Sequence, residues 1–213
     1  MPGLLILGAG GHGRSLIELL RAQGAGCHWD IAGLLDANPP AAPVLGVPVM
    51  GTEAALPALW QQGLRHVVLA IGHNATRLAA AARLRALGFD FPTLVHPSAI
   101  LAASASLGEG TVVLPRVVLG AGARVGAFAI LNSGCVVEHD AEIGEGAHIA
   151  PGAVLPGHVS VGARALLGAG SCCVVGARIG ADAVVAAGAA VTQEVAAGAM
   201  VGGVPARALG KSG

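Results

Sequence analysis

The chain is poor in aromatic and charged side chains. Among its 213 residues there is no tyrosine, aromatic residues make up 2% and charged residues 11%. Twelve basic and twelve acidic residues cancel, so the composition gives no electrostatic basis for binding nucleic acid or an anionic membrane. A surface so rich in glycine and apolar residues indicates that other subunits cover much of it.

Long apolar runs and paired cysteines are also missing. His, Pro and Gly interrupt each apolar stretch, as between residues 147 and 162, so we expect no membrane-spanning helix. No basic segment precedes an apolar run at the N-terminus, so we expect no signal peptide and a cytoplasmic protein. The four cysteines form no CxxC pair, and Cys135 and Cys173 fall on inward positions of the repeat described next, which predicts reduced, structural thiols.

A six-residue repeat fills the second half of the sequence. From Val95 to Val191 every sixth residue is Val, Leu or Ile, except Cys173, through seventeen hexads, and the fifth place of each hexad is small or short, ending at Val195. A period of six fits neither a helix nor a plain alternating strand. It fits short strands joined by fixed turns, with one large and one small side chain pointing inward. Such periodicity is typical of a parallel β-helix.

The chain ahead of the repeat alternates between strand and helix patterns. Apolar runs lie at residues 4–7, 31–35 and 66–71, and helical patterns lie at 15–23, 52–62 and 74–87. Thr52 and Asn74 are the expected N-caps of the second and third helices. The βαβαβ order predicts a small parallel sheet with helices on its faces. We therefore expect an α/β domain over residues 1–92 and the β-helix with its tail over 93–213.

A glycine-rich loop, Gly8-x-Gly10-x-x-Gly13, joins the first predicted strand to the first helix, and Asp36 ends the next strand. This spacing matches a Rossmann fingerprint, in which backbone amides and a helix N-terminus hold a diphosphate. The α/β portion is too short for a complete dinucleotide site, so we favour a nucleotide diphosphate that anchors a substrate over NAD or FAD. A ligand-free tight turn is the alternative. His12 could donate to a phosphate or cap the turn.

Histidines and acids gather in one part of the repeat. His139 occupies a turn position that points outward, with Glu138 and Asp140 on either side, and His148 and His158 follow. A neighbouring carboxylate would hold the imidazole in one tautomer and raise its basicity, which predicts a general base. A merely solvated histidine is the alternative. The three histidines lack the spacing of a metal-ligand motif, so we expect no metal.

Several motifs together resemble one family. The hexapeptide repeat, the Gly10–Arg14 loop, the 138–140 triplet and the Gly203–Arg207 tail are similar to the bacterial acetyltransferases that modify nucleotide-linked amino sugars. These are the bacillosamine and perosamine N-acetyltransferases and the related sialic acid O-acetyltransferases, enzymes of polysaccharide biosynthesis. The resemblance covers essentially the whole chain. It implies a Rossmann-like nucleotide-sugar-binding domain, a left-handed β-helix and a homotrimer, with acetyl-CoA between adjacent solenoids.

The resemblance also implies roles for individual residues. His139 would be the general base and Asp140 its orienting acid in acetyl transfer from acetyl-CoA to the amino group of a nucleotide-linked amino sugar. The implied nucleotide contacts are Gly11, His12, Gly13 and Asp36, the implied sugar contact is Asn132, and the implied cofactor contacts are His148, Gly157, Ala169 and Ala187.

Two departures from the family pattern stand out. Ala37 follows Asp36 where relatives often carry a second acid, so the nucleotide base would be recognised differently. Asp140 stands where some relatives have Glu, and Glu138 could replace it if the shorter arm fails to reach the imidazole. O-acetylation, or a non-catalytic solenoid that binds nucleotide sugars, are the alternative functions. A carbonic anhydrase-like solenoid would need three metal-binding histidines.

Overall fold

The computed structural model describes residues 1–210, and the chain divides into two compact units, Met1–Leu94 and the part from Val95 onward. The first unit contains β1 (Gly3–Leu7), α1 (Gly11–Ala22), β2 (Asp30–Leu35), α2 (Leu56–Gln61), β3 (His66–Leu69) and α3 (Asn74–Ala86), with 3₁₀ turns at Gly24–Gly26 and Glu53–Ala55. The strands are parallel, in the order β2-β1-β3. The apolar residues of β1 and α1 form its core, so the predicted α/β fold is confirmed. No helix in the described part of the chain is long and apolar enough to cross a membrane.

The helix ends differ in detail from the sequence prediction. Thr52 caps the 3₁₀ turn that leads into α2, because its hydroxyl accepts a hydrogen bond from the amide of Ala54 at 3.3 Å, whereas the N-cap of α2 itself is Ala55. The prediction that Asn74 caps α3 is wrong. His73 is the N-cap, since its Nδ1 accepts from the amide of Thr76 at 3.3 Å. Asn74 is the first helical residue, and its Oδ1 accepts from the buried guanidinium of Arg77 at 2.9 Å.

The second unit is a β-solenoid with a strand every six residues. Its strands are β4 (Leu94–Val95), β5 (Ile100–Leu101), β6 (Ser106–Leu107), β7 (Val112–Val113), β8 (Val118–Leu119), β9 (Arg124–Val125), β10 (Ile130–Leu131), β11 (Val136–Val137), β12 (Glu142–Ile143), β13 (His148–Ile149), β14 (Val154–Leu155), β15 (Ser160–Val161), β16 (Leu166–Leu167), β17 (Cys172–Cys173), β18 (Arg178–Ile179), β19 (Val184–Val185), β20 (Ala190–Val191), β21 (Met200–Gly202) and β22 (Arg207–Ala208).

Three sheets run along the solenoid. The first contains β4, β7, β10, β13, β16, β19, β21 and β22, the second β5, β8, β11, β14, β17 and β20, and the third β6, β9, β12, β15 and β18. From β5 to β20, each parallel pair joins residues eighteen apart, as Val136 pairs with Val154 and Glu142 with Ser160. One coil is therefore three hexads long, and the neighbour of a residue in the next coil lies eighteen positions further along.

The interior is built as the hexad predicts. Ala129, the small position just before β10, and Leu131, the aliphatic position within β10, are both fully buried. The pattern changes in the last coil, where Ile179 pairs with Val195 and Val184 pairs with Met200, only sixteen residues apart. Val195 therefore takes the aliphatic position of the coil, and its assignment to the small fifth place is wrong. The physical reason is that this coil is two residues shorter than the others.

Candidate functional site

His139 and Asp140 lie on the turn between β11 and β12, at the corner where the second and third sheets meet. His139 Nδ1 lies 3.0 Å from Asp140 Oδ2, and each side chain is 54% exposed. Because a carboxylate can only accept, Nδ1 carries the proton and Nε2 is left as the basic nitrogen. The shorter arm of Asp140 does reach the imidazole, and Glu138 is not needed for this contact.

Asp140 is held in its charged form. The hydrogen bond from His139 keeps the pKa of the Asp140 carboxyl below its ordinary value, and the nearby charges of His158, His139 and Arg124 act in the same direction. Arg124 itself pairs with Glu142 at 2.7 Å. At neutral pH the Asp140 carboxylate can therefore hold the His139 imidazole in the tautomer whose Nε2 accepts a proton.

The next coil contributes two residues to the same corner. Gly157 lies eighteen residues after His139, and a Cβ added there would be 2.4 Å from Cε1 and 2.5 Å from Nε2 of the His139 ring. His158 lies eighteen residues after Asp140, with its ring centroid 5.1 Å from that of His139 and the two planes at 90°. Gly157, which the resemblance assigns to the cofactor, therefore also packs against the proposed base.

His158 was not among the residues that sequence reasoning placed in the site. Its Nε2 lies 4.0 Å from Asp140 Oδ2, and the eighteen-residue offset from Asp140 is the signal that could have found it. His139, Asp140 and His158 offer ligand atoms within 4.8 Å of one another. The shortest of these distances is the 3.0 Å hydrogen bond from His139 Nδ1 to Asp140 Oδ2, which satisfies both atoms without a metal ion.

A second polar pair lies on a different side of the solenoid. His148 is on β13 in the first sheet, and Asn132 follows β10 in the same sheet. Asn132 Oδ1 accepts from the amide of Ser133 at 2.8 Å, so its Nδ2 is the group that donates to His148 Nε2 at 3.1 Å. His148 therefore accepts at Nε2 and carries its ring proton on Nδ1.

The remaining predicted cofactor contacts, like Asn132, lie away from the corner of His139. Ala169 and Ala187 occupy the corner between the first and second sheets in consecutive coils, where the amide of Gly188 donates to Ala169 O at 2.9 Å. Asn132 is on the same corner, whereas Gly157 is on the corner of His139. One chain thus brings together His139, Asp140 and Gly157, but not these residues with His148, Ala169 or Ala187.

The α/β unit has a cavity of about 330 Å³ at the carboxyl ends of its parallel strands. Gly8 and Gly10 of the glycine-rich loop line it, together with Asp36, Glu53 and Arg83. The guanidinium of Arg83 donates to the Glu53 carboxylate at 2.9 Å. A crevice outside the carboxyl ends of parallel strands is the usual ligand position in such sheets.

Asp36 fixes the glycine-rich loop. Its carboxylate accepts from the amide of Ala9 at 2.7 Å and from the amide of Asn38 at 2.9 Å. On the other side of the loop, a Cβ at Gly13 would lie 2.2 Å from Gly8 O, so only glycine lets α1 approach the strand this closely.

The start of α1 is open. A Cβ at Gly10 or Gly11 would meet nothing within 4 Å, and the N-cap Gly10 makes no side-chain capping bond. Exposed backbone at the N-terminus of a twelve-residue helix suits an anion such as a diphosphate.

His12 is a neutral imidazole in this structure. Burial, with a smaller effect from Arg77, lowers the pKa of its imidazole to about 4, so it is neutral at pH 7. Its Nε2 is buried without a hydrogen-bond partner within residues 1–210. The sequence pattern could not show this, because the burial comes from tertiary packing.

Three family descriptions match the chain. Residues 3–84 match the PglD N-terminal domain, residues 116–157 the bacterial transferase hexapeptide (six repeats), and residues 158–193 the hexapeptide repeat of succinyl-transferase. The UDP-N-acetylbacillosamine N-acetyltransferase of Bacillus subtilis is 37% identical over 127 residues, which is 54% of this chain and 52% of that protein. The chain therefore aligns with only about half the length of that relative.

Solved structures match over nearly the whole chain. PerB from Caulobacter crescentus, in complex with CoA and GDP-perosamine, is 41% identical with a TM-score of 0.93, over 99% of this chain and 98% of that one. The acetyltransferase domain of PglB from Neisseria gonorrhoeae, in complex with acetyl coenzyme A, is 32% identical with a TM-score of 0.89, over 97% and 98%. From this identity and coverage, the chain belongs to the sugar N-acetyltransferases of the hexapeptide-repeat superfamily.

Proposed function

We propose that this acetyltransferase transfers acetyl from acetyl-CoA to the amino group of a nucleotide-linked amino sugar, with His139 as general base. The observation that carries the proposal is the 3.0 Å hydrogen bond from His139 Nδ1 to Asp140, which leaves Nε2 basic on an exposed corner of the solenoid. The Caulobacter relative is described with CoA and GDP-perosamine, and variants of it that replace one histidine were also solved. These descriptions support a central role for a histidine.

The chemistry follows from that geometry. The sugar amine attacks the thioester carbonyl, the C–N bond forms, and His139 Nε2 takes the proton that the nitrogen loses. The carboxylate of Asp140 stabilises the resulting imidazolium. The C–S bond then breaks, and the imidazolium returns the proton to the departing thiolate, so the products are the amide and free CoA thiol.

A covalent acyl-cysteine is not part of this route. Burial raises the pKa of the Cys135 and Cys173 thiols to about 12, so neither supplies a thiolate at neutral pH. In the proposed route the amine attacks the thioester directly, and these two buried thiols take no part.

For the acceptor, we propose that the α/β unit holds the nucleotide. The open backbone at Gly11 and the close packing of Gly13 present the N-terminus of α1 to a diphosphate, while Asp36 keeps the loop in place. His12 would contribute as a neutral group only. The cavity beside Asp36 then takes the nucleoside.

We also propose a homotrimer, with acetyl-CoA between neighbouring solenoids. The outward strand residues of the second sheet are apolar, including Ile100, Val118, Val136 and Val154, whereas those of the third sheet include Ser106, Arg124, Glu142 and Ser160. Ile100 is 68% exposed in the single chain, which favours a covering partner. In a trimer, His148, Ala169 and Ala187 of one chain could lie opposite the His139 corner of the next.

Complementation tests the shared site. A His139→Ala chain and a His148→Ala chain, each impaired alone, are unfolded, mixed and refolded together. Random assembly should restore about a quarter of the wild-type activity, since one interface in four pairs an intact His139 with an intact His148. No recovery, together with a monomer by light scattering, would contradict a site built from two chains.

Substrate class is tested by thiol release. The protein is incubated with acetyl-CoA, a thiol reagent and UDP-, GDP- or dTDP-linked sugars, each as an amino sugar and as its hydroxyl counterpart. CoA release that depends on the amino group supports the proposal. Release with the hydroxyl sugars favours O-acetylation, and binding of a nucleotide sugar without release favours a non-catalytic module.

A further inference from the structure

His158 makes contacts that the proposed chemistry does not use. It lies on the turn between β14 and β15, one coil beyond Asp140, and its ring packs edge-on against the ring of His139 with centroids 5.1 Å apart. We propose that His158 is a positioning residue, which holds the His139 imidazole in the orientation where Nε2 meets the acceptor amine. This inference depends on the proposed role of His139 as base.

A half-exposed imidazole needs more than one restraint. The hydrogen bond to Asp140 fixes Nδ1, but the ring can still swing about that bond because 54% of the side chain is exposed. The backbone at Gly157 lies directly against Cε1 and Nε2 and limits the swing on one side. The perpendicular ring of His158 limits it on another. Together the three contacts restrict the orientation of the basic nitrogen.

The register of the solenoid keeps these contacts in place. The amide of His158 donates to His139 O at 3.0 Å, so the two turns are tied through the backbone. Asp140 and His158 both have a left-handed backbone, with φ of 55° and 61°. The equivalent positions one coil below and one coil above are Gly122 and Gly176, which adopt this conformation without strain. A glycine would therefore suit the turn at residue 158, so the backbone conformation does not explain why a histidine stands there.

The shape of the ring, rather than its charge, is the feature that acts on His139. His158 Nε2 is 4.0 Å from Asp140 Oδ2, too far for a hydrogen bond. The groups whose charges act on Asp140 are His158, His139 and Arg124, and Arg124 is itself paired with Glu142. Asp140 already receives its hydrogen bond from His139, so a neutral aromatic ring in place of His158 should serve equally well.

The test compares His158→Gly with His158→Phe. Phe128 has φ of 55° in this chain, so a phenylalanine is compatible with such a turn. The glycine variant should lower kcat about tenfold with little change in KM for acetyl-CoA, since a displaced base slows chemistry more than binding. The phenylalanine variant should restore kcat to nearly the wild-type value. Asp182→Gly, which removes an exposed side chain from a turn with φ of 58° between β18 and β19, away from the corners of His139 and Asn132, is the matched control and should leave both parameters unchanged.

The outcomes separate this inference from the proposed function. An unchanged kcat in His158→Gly, or equal losses in the glycine and phenylalanine variants, would overturn the positioning role while His139→Ala still tests the base itself. A rise in KM without a loss of kcat would also overturn it, because that result indicates a substrate contact. Full activity in His139→Ala would instead remove the proposed base. Melting temperatures for all variants check that the solenoid is intact.

Discussion

Replacing Gly157 by alanine should reposition the proposed base without disturbing the backbone. Gly157 does not have a left-handed backbone, and alanine already occupies the same place of the hexad at Ala121 and Ala163. The new methyl group would nevertheless lie 2.4 Å from Cε1 and 2.5 Å from Nε2 of His139. The backbone would therefore accept alanine at position 157, and only the His139 imidazole stands in the way of its methyl group.

The size of the effect follows from those distances. A methyl carbon and a ring atom in contact lie about 3.5 Å apart or more, so the ring must move by roughly 1 Å. A displacement of this size at a reacting group can cost about a hundredfold in rate. The exposed ring can move outward without unfolding the coil, so we expect kcat to fall by about one to two orders of magnitude while the melting temperature changes little.

Steady-state kinetics with both substrates, and CoA affinity by calorimetry, measure this. The control is Gly157→Ala made in a His139→Ala background, where the ring is absent and the methyl group should have no further effect on the residual rate. If Gly157→Ala weakened CoA binding and left kcat intact, Gly157 would act through the cofactor as the resemblance implies, and the argument from ring displacement would be refuted.

Three other substitutions follow from the same structure. His139→Ala should lower kcat at least about a hundredfold, by loss of general base catalysis, with CoA affinity retained; near-normal turnover would exclude the base. Asp140→Asn should lower kcat by roughly tenfold or more, because an amide cannot stabilise the imidazolium, and an unchanged pH–rate profile would contradict the pair. His12 is neutral when folded but is protonated below about pH 6.5 when unfolded, so the free energy of unfolding should fall as the pH drops towards 4. The loss at pH 4 should approach about 3 kcal/mol, and urea titrations should show a flatter pH dependence in His12→Gln.

The repeat made the solenoid predictable, but it did not by itself identify all of the site. Once a coil is known to be eighteen residues long, adding eighteen to His139 and Asp140 points to Gly157 and His158. The hexad alone predicts which turn positions point outward, but it does not say which turns stack on each other in successive coils. Together with the coil length, the sequence pattern therefore places His158 near His139 but does not predict that the two rings are in contact.

Other features depend on packing that no local pattern reports. Asp140 reaches the imidazole because its backbone is left-handed, with φ of 55°. The types of the neighbouring residues do not specify this conformation. The low pKa of His12 comes from burial in the folded unit. The change at Val195 arises because the last coil drops two residues, although the amino acids there still fit the hexad.

Val195 and Gly157 differ in how strictly their positions in the solenoid are constrained. Near the end of the solenoid a coil of sixteen residues still pairs Ile179 with Val195 and keeps the interior buried, so the fold tolerates a change of coil length. At the corner of His139 the same tolerance does not extend to the residue type at position 157, because any side chain there would meet the imidazole. The core therefore fixes which positions of the coil are aliphatic, and the proposed site fixes that position 157 is a glycine.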